Sequence, residues 1–307
     1  MLPSPADSGP DRRGTSGPPV GDGGLLAAPV AEALAMTEPG GSVLAQAGVR
    51  SGGCFTRPLP LDGTCASAAR RFFREALAGI SLPAELVHDG VTMASELAAN
   101  TLHAQGNVEF SGGHRRPVTG MPEFWLYLRG RGAGCELVCK VFDSDPAWTS
   151  LDRELPDPAS PDAVDGRGLY VVAELSGGRW GKHPSRGRLG SWKVPGKAVW
   201  FAQRMPPSAG SVRVSRPEPG SVAAVDELEA LLAERGLGGR LMRIDEPGGL
   251  ISVLSISRHL TVWRHGGTVS WKDPAGQYRK LQLCDLVEVA EQIICAHERL
   301  AHATVSA

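Results

Sequence analysis

The sequence predicts an α/β (α+β) protein with two folded parts. Helical periodicity alternates with short β-branched and aromatic runs between Phe55 and Gln203, and again between Val222 and Leu300. A stretch containing Pro206, Pro207, Pro217 and Pro219 separates the two runs and reads as a linker. The expected organisation is a first domain over 53–204, a linker over 205–220 and a small α+β domain over 221–303. Residues 1–52 are rich in Gly, Pro, Ser and Ala and lack periodicity, which predicts a disordered segment.

The first domain opens with Phe55-Thr-Arg-Pro-Leu59, an expected edge strand. Cys65 to Leu77 follows as a helix with Ala69, Phe72, Phe73, Ala76 and Leu77 on its apolar side and Asp62 or Thr64 as its cap. A second helix is expected from Pro83 to about Ala104. Phe124–Leu128 and Glu136–Phe142 read as paired strands, Leu169–Leu175 as a helix, and Trp192–Ala202 as the region of the last strand. In the second domain, Val225, Leu228, Leu231 and Leu232 mark a helix from Val222 to Arg235, ending at Gly236. Short strands are expected near 241–244, 251–256, 260–263 and 268–271, the last two joined as a hairpin through His265-Gly-Gly267. Leu283–Leu300 closes the pattern as a helix with Leu286, Val289, Ala290, Ile293 and Ile294 on one face. This α-β-β-β-β-α order suits a small sheet covered by two helices. Ser255, His259 and His265 read as exposed hairpin positions, so this part is expected to be an interaction or dimerisation module.

Three segments carry candidate chemistry. Glu96 and Asn100 stand four residues apart on the second helix, on one face and one turn from each other. An amide oxygen suits a hard cation such as Mg²⁺, and a carboxylate can accept a proton or orient a nucleophile. Asp143 ends a strand before Pro146 and can accept a hydrogen bond from an exocyclic amine such as adenine's; capping a turn is the alternative. Gly166 and Gly168 precede an apolar helix, whose exposed amides and dipole favour phosphate.

The order of these pieces resembles the histidine-kinase-like ATPase superfamily (GHKL). Within it, the chain is similar to the anti-sigma-factor serine/threonine kinases and their actinobacterial relatives. Ser95-Glu-Leu-Ala-Ala-Asn-Thr-Leu-His-Ala104 is similar to the family's N box. The resemblance implies Glu96 as general base and Asn100 as Mg²⁺ ligand. It implies adenine recognition by Asp143 within Val141-Phe-Asp-Ser-Asp-Pro146, and contacts to ATP from Gly166, Arg167, Gly168 and Leu169 of a reduced glycine box. Gly196-Lys-Ala-Val-Trp-Phe201 resembles the closing Gly-Lys-Thr-x-Trp strand, which adds Lys197 to the ATP site, and Trp180-Gly181 stands where the family places a Trp-Gly pair. The implied fold is a sandwich of the Bergerat type, a mixed and mostly antiparallel sheet covered by helices on one face. Trp148–Val164 falls where such proteins have an ATP lid. The implied protein partners are an anti-sigma-factor antagonist, as substrate, and a sigma factor. Asp143-Ser-Asp-Pro-Ala147 departs from the family's Asp-x-Gly-x-Gly, and Ala198 replaces its Thr or Ser. A nucleotide-binding switch without phosphoryl transfer, or a scaffold, therefore stands beside the kinase reading.

Bulk properties set bounds. A formal net charge of −1 over 307 residues gives no general attraction to nucleic acid or anionic membrane. No apolar run approaches the ~20 residues that cross a bilayer, and Glu32 interrupts the apolar stretch from Leu25 to Met36, which argues against a signal peptide. The cysteines at 54, 65, 135, 139, 284 and 295 form no Cys-x-x-Cys pair. They read as free thiols in a reducing cytoplasm.

Overall fold

The computed structural model describes residues 48–108, 120–130, 134–144, 167–190, 193–206 and 220–305. Residues 1–47, the lid expected at Trp148–Val164, Gly166 and most of the linker lie outside the described residues.

The first half builds a five-stranded sheet from β1 (Phe55–Pro58), β2 (Glu123–Arg129), β3 (Glu136–Asp143), β4 (Trp180–Arg186) and β5 (Pro195–Arg204). The order is β1-β2-β3-β5-β4, so β1 is an edge strand. Every ladder is antiparallel, which corrects the expectation of a mixed sheet. Three helices accompany it, α1 (Cys65–Ala76), α2 (Ala84–Val108) and α3 (Gly168–Leu175).

Side chains alternate across a strand, and the two faces of this sheet meet different partners. Phe124, Leu126, Cys139, Val141 and Phe201 bury against Phe72 and Phe73 of α1 and Met93 and Leu97 of α2. In α1 the buried positions Cys65, Ala68, Ala69, Phe72, Phe73 and Ala76 follow the helical repeat that defines one apolar stripe. Neither expected cap forms. Asp62 instead accepts hydrogen bonds from the Thr64 amide at 2.8 Å and the Thr64 hydroxyl at 2.5 Å, ahead of the helix.

The second half is an antiparallel meander, β6 (Met242–Asp245), β7 (Ile251–Ser257), β8 (Leu260–His265), β9 (Thr268–Lys272) and β10 (Tyr278–Gln282). The β8–β9 hairpin turns through Gly266-Gly267, with His265 opposite Thr268. β10 adds a strand that the polar run Tyr-Arg-Lys-Leu-Gln did not announce. One face of the meander buries Leu254, Ile256, Val262, Val269 and Trp271 under α4 (Val222–Leu232) and α5 (Leu286–Val305). Ser221 caps α4 by accepting from the Ala224 amide at 3.2 Å. Past Leu232 the chain widens into a π-type turn through Leu237, with Gly236 at φ 79°.

The expectation of helices on one face covers only half of the first sheet's burial. Trp125, Tyr127, Val138, Phe142, Ala198 and Ala202 on the opposite face pack together with Val287 of α5. The described residues accordingly fall in one compact unit. This second interface is charged at its centre. Glu291 is fully buried and meets Lys140 at 3.3 Å, Arg188 at 2.8 Å, and Arg235 in a close ion pair. Burial alone would raise the Glu291 carboxyl, but Arg235, Lys140 and Arg188 outweigh it and hold it well below the usual carboxylate range. Nearby, Tyr127 donates to Glu288 at 2.5 Å and Arg186 to Glu298 at 2.6 Å.

His183 of β4 lies in the same layer. Its Nδ1 is 2.9 Å from the Pro184 carbonyl, which can only accept, so Nδ1 carries the hydrogen. Nε2 is then bare and accepts from Lys140 Nζ at 3.1 Å. Burial first, and then the Lys140 ammonium, lower its pKa from 6.5 to about 4. The unfolded chain therefore binds the extra proton first as pH falls. The contribution of neutral His183 is fully present above pH 6.5 and is lost between there and about pH 4. The expected loss is on the order of 2–3 kcal/mol. Chemical denaturation at successive pH values should show this slope, and His183→Asn should flatten it. An unchanged slope in that variant would overturn the assignment.

Candidate functional site

α2 carries Glu96 and Asn100, both partly exposed, above a buried side formed by Met93, Ala94, Leu97 and Ala98. The helix is tied down from both neighbours. Cys65 Sγ donates to the Ala98 carbonyl at 3.5 Å, and Gln203 of β5 donates to the Leu86 carbonyl at 3.1 Å. Leu169, Val172 and Ala173 seat α3 on the same core. That seating brings the first turn of α3 down onto the pair. A Cβ added at Gly168 would lie 2.7 Å from Glu96 Oε2, 3.3 Å from Asn100 Oδ1 and 3.4 Å from Asn100 Nδ2. A side chain at this position would displace the Glu96 carboxylate and crowd the Asn100 amide. The first turn of a helix has amides with no partner inside the helix and carries partial positive charge. Asn100 Nδ2 is buried and makes no hydrogen bond among the described residues.

Asp143 ends β3 and is buried. Leu137, Cys139 and Val141 alternate toward the helices, and Asp143 continues that set, so it lies on the face that α2 covers. Lys197 stands directly across from it on β5, and its ammonium is 3.2 Å from Asp143 Oδ2. Ser144 donates to the Gly120 carbonyl at 3.1 Å and fixes the chain just beyond. A Cβ at Gly196 would fall 2.2 Å from the Asp143 carbonyl oxygen and 2.8 Å from Ser144 Cα. The close approach of β5 to the end of β3 depends on that glycine.

The structure thus brings Glu96, Asn100 and Gly168 into contact, with Arg167 and Leu169 flanking Gly168 in the chain. It places Asp143 and Lys197 together at the end of the same sheet face. The Asp143–Lys197 pair has no signal in spacing, because strand register alone creates it.

Among the described residues no group of three His, Cys, Asp or Glu side chains is placed to hold a metal ion. A Mg²⁺ ion that arrives with nucleotide needs fewer protein ligands, because phosphate oxygens and waters complete its octahedron. All six cysteines are free thiols, and burial pushes Cys65 up to about 11. No described helix is long and apolar enough to cross a membrane. No family model matches the chain, and neither does any curated protein or solved structure.

Proposed function

We propose that the chain is an ATP-binding regulatory protein of the histidine-kinase-like (GHKL) type. In this reading it is a serine/threonine protein kinase of anti-sigma-factor kind that controls transcription through a protein antagonist. The observation that carries the reading is the meeting of Glu96 and Asn100 beneath the α3 N-terminus at Gly168. Asn100 would hold Mg²⁺ through Oδ1, and its unpartnered Nδ2 would donate to a phosphate oxygen. The α3 amides from Gly168 and Leu169 would meet the phosphates, and Asp143 would accept from the adenine amine. Glu96 would take the proton of a substrate hydroxyl as its oxygen bonds to the γ-phosphorus and the bond to ADP breaks. Such transfer rests mainly on positioning and charge neutralisation. The partner-facing surface in this reading is the open face of the second sheet, where Met242, Ile244 and Trp263 are 67%, 68% and 53% exposed.

A nucleotide switch is the second reading, and a specific observation favours it. Lys197 already occupies Asp143, and Ser144-Asp-Pro-Ala147 has no glycine to bring its backbone to the nucleotide. Titration with ATP and ADP by calorimetry, with and without Mg²⁺, tests both readings. Micromolar, Mg²⁺-dependent binding that falls at least about tenfold in Asn100→Ala is expected, a loss that matches removal of one charge-assisted contact. No binding to the wild-type protein would end both readings. Transfer of labelled γ-phosphate to a protein substrate separates kinase from switch.

A further inference from the structure

A second concave site lies away from the α2–α3 contact, in the seam between the two sheets. It is a cleft of about 230 Å³ with walls from β4 and β5 on one side and from α5 and the β9–β10 turn on the other. We infer that this cleft is a binding site for a small planar organic anion, an aromatic monocarboxylate.

Size sets the first limit. Pockets for drug-sized ligands run to ~300–1,000 Å³, so this cleft suits a single ring with a short polar group. Charge sets the second. Lys182, Arg279 and Arg299 face one carboxylate, Asp273, and Arg279 already binds that carboxylate at 2.8 Å. His183 also touches the cleft but adds no charge at neutral pH, because both its ring nitrogens are engaged. The lining is therefore cationic. Arg299 Nε is buried and makes no hydrogen bond among the described residues. A buried donor without a partner is costly, and a ligand carboxylate would satisfy it.

Shape sets the third limit. Trp200 and Trp271 line the cleft from opposite sheets and give it an aromatic, largely apolar wall. Trp200 is fixed in place: its ring lies over Gly181, where a Cβ would come within 3.1 Å of it, and the Arg129 guanidinium stands 5.3 Å from the ring centroid. Trp271 is buried on β9 with Arg279 opposite on β10. The walls are formed before a ligand arrives, which lowers the cost of ordering them. A ring beside the tryptophans and a carboxylate toward Arg299 and Lys182 would match both the aromatic and the cationic parts of the lining. Because the walls belong to both sheets, occupancy would hold the two halves together and raise the melting temperature.

Benzoate is the probe. It is titrated by calorimetry and thermal melting into the full-length wild-type protein, Arg299→Gln and Lys182→Gln, with inorganic phosphate as the ring-free anion. Saturable benzoate binding with a rise in melting temperature is expected, weakened about tenfold or more in each variant. Phosphate is expected to bind far more weakly. Absence of heat and of any melting shift at millimolar benzoate overturns the inference. So does binding that both variants, folded by circular dichroism, retain unchanged. Phosphate binding as tightly as benzoate overturns recognition of the ring. Loss of folding in one variant leaves the other and the phosphate comparison to decide.

Discussion

Glu291→Gln is expected to destabilise the fold by about 3–5 kcal/mol, the range for breaking a buried ion pair and leaving its partner charged. The glutamine is nearly isosteric, so packing under α5 is unchanged and only the charge goes. Lys140, Arg188 and Arg235 then share a buried layer without the carboxylate that all of them contact. Lys140 is only 2% exposed and cannot turn to water. The Ser185 hydroxyl, which donates to Glu291 at 3.4 Å, would donate to a neutral amide oxygen in place of a charged one. Urea unfolding monitored by tryptophan fluorescence measures the change. A loss below about 1 kcal/mol, the scale of a surface pair, would mean that water reaches the cluster and that the layer is not dry.

The second large effect is expected at Gly196. A new Cβ would strike the Phe142 ring edge and also the Asp143 carbonyl oxygen and Ser144 Cα, and because the last two are backbone no side-chain rotation relieves the whole clash. Gly196→Ala must push β5 away from the end of β3. Overpacking of this kind costs about 1–3 kcal/mol. It should also move Asp143 relative to Lys197 and, under the nucleotide reading proposed above, lower ATP affinity more than the stability loss alone accounts for. Thermal melting and ATP titration on the same preparation check both parts. Wild-type values in both would show that the strands have room that the geometry denies.

Periodic residues made much of this fold readable. The repeat from Cys65 to Ala76 and the alternation from Phe124 to Leu128 each point one set of side chains at one core, and those elements formed within a residue or two of expectation. β4 was not readable as a strand, because Trp-Gly-Lys-His-Pro-Ser-Arg has no alternation and carries a proline suited only to an edge. It forms because α5 supplies polar partners for Ser185 and Arg186, and Lys140 of β3 supplies one for His183. Glu288, Glu291 and Glu298 were equally opaque. Acids along a helix ordinarily face water, and nothing local says that another sheet will cover them. Glu96 and Asn100 were visible through helical spacing. Their contact with Gly168 had no signal in the sequence, because it depends on how α3 seats on the core. Asp143 was legible as a strand end, while its partner Lys197 depended on register across residues far apart in the chain.

The cover of the first sheet has a consequence for the order of events on the ribosome. Tyr127 and Glu288 bond across 161 residues, and Lys140 and Glu291 across 151. Every strand of the first sheet is synthesised before α5 exists. Until α5 emerges, Trp125, Tyr127 and Phe142 have no lid and Lys140 has no counter-charge. Such long sequence separations slow folding and leave apolar surface open in the interim. The nascent first half must therefore pass through a stage in which one face is packed and the other still waits. The last helix, which looks like part of a separate module, is the piece that completes it.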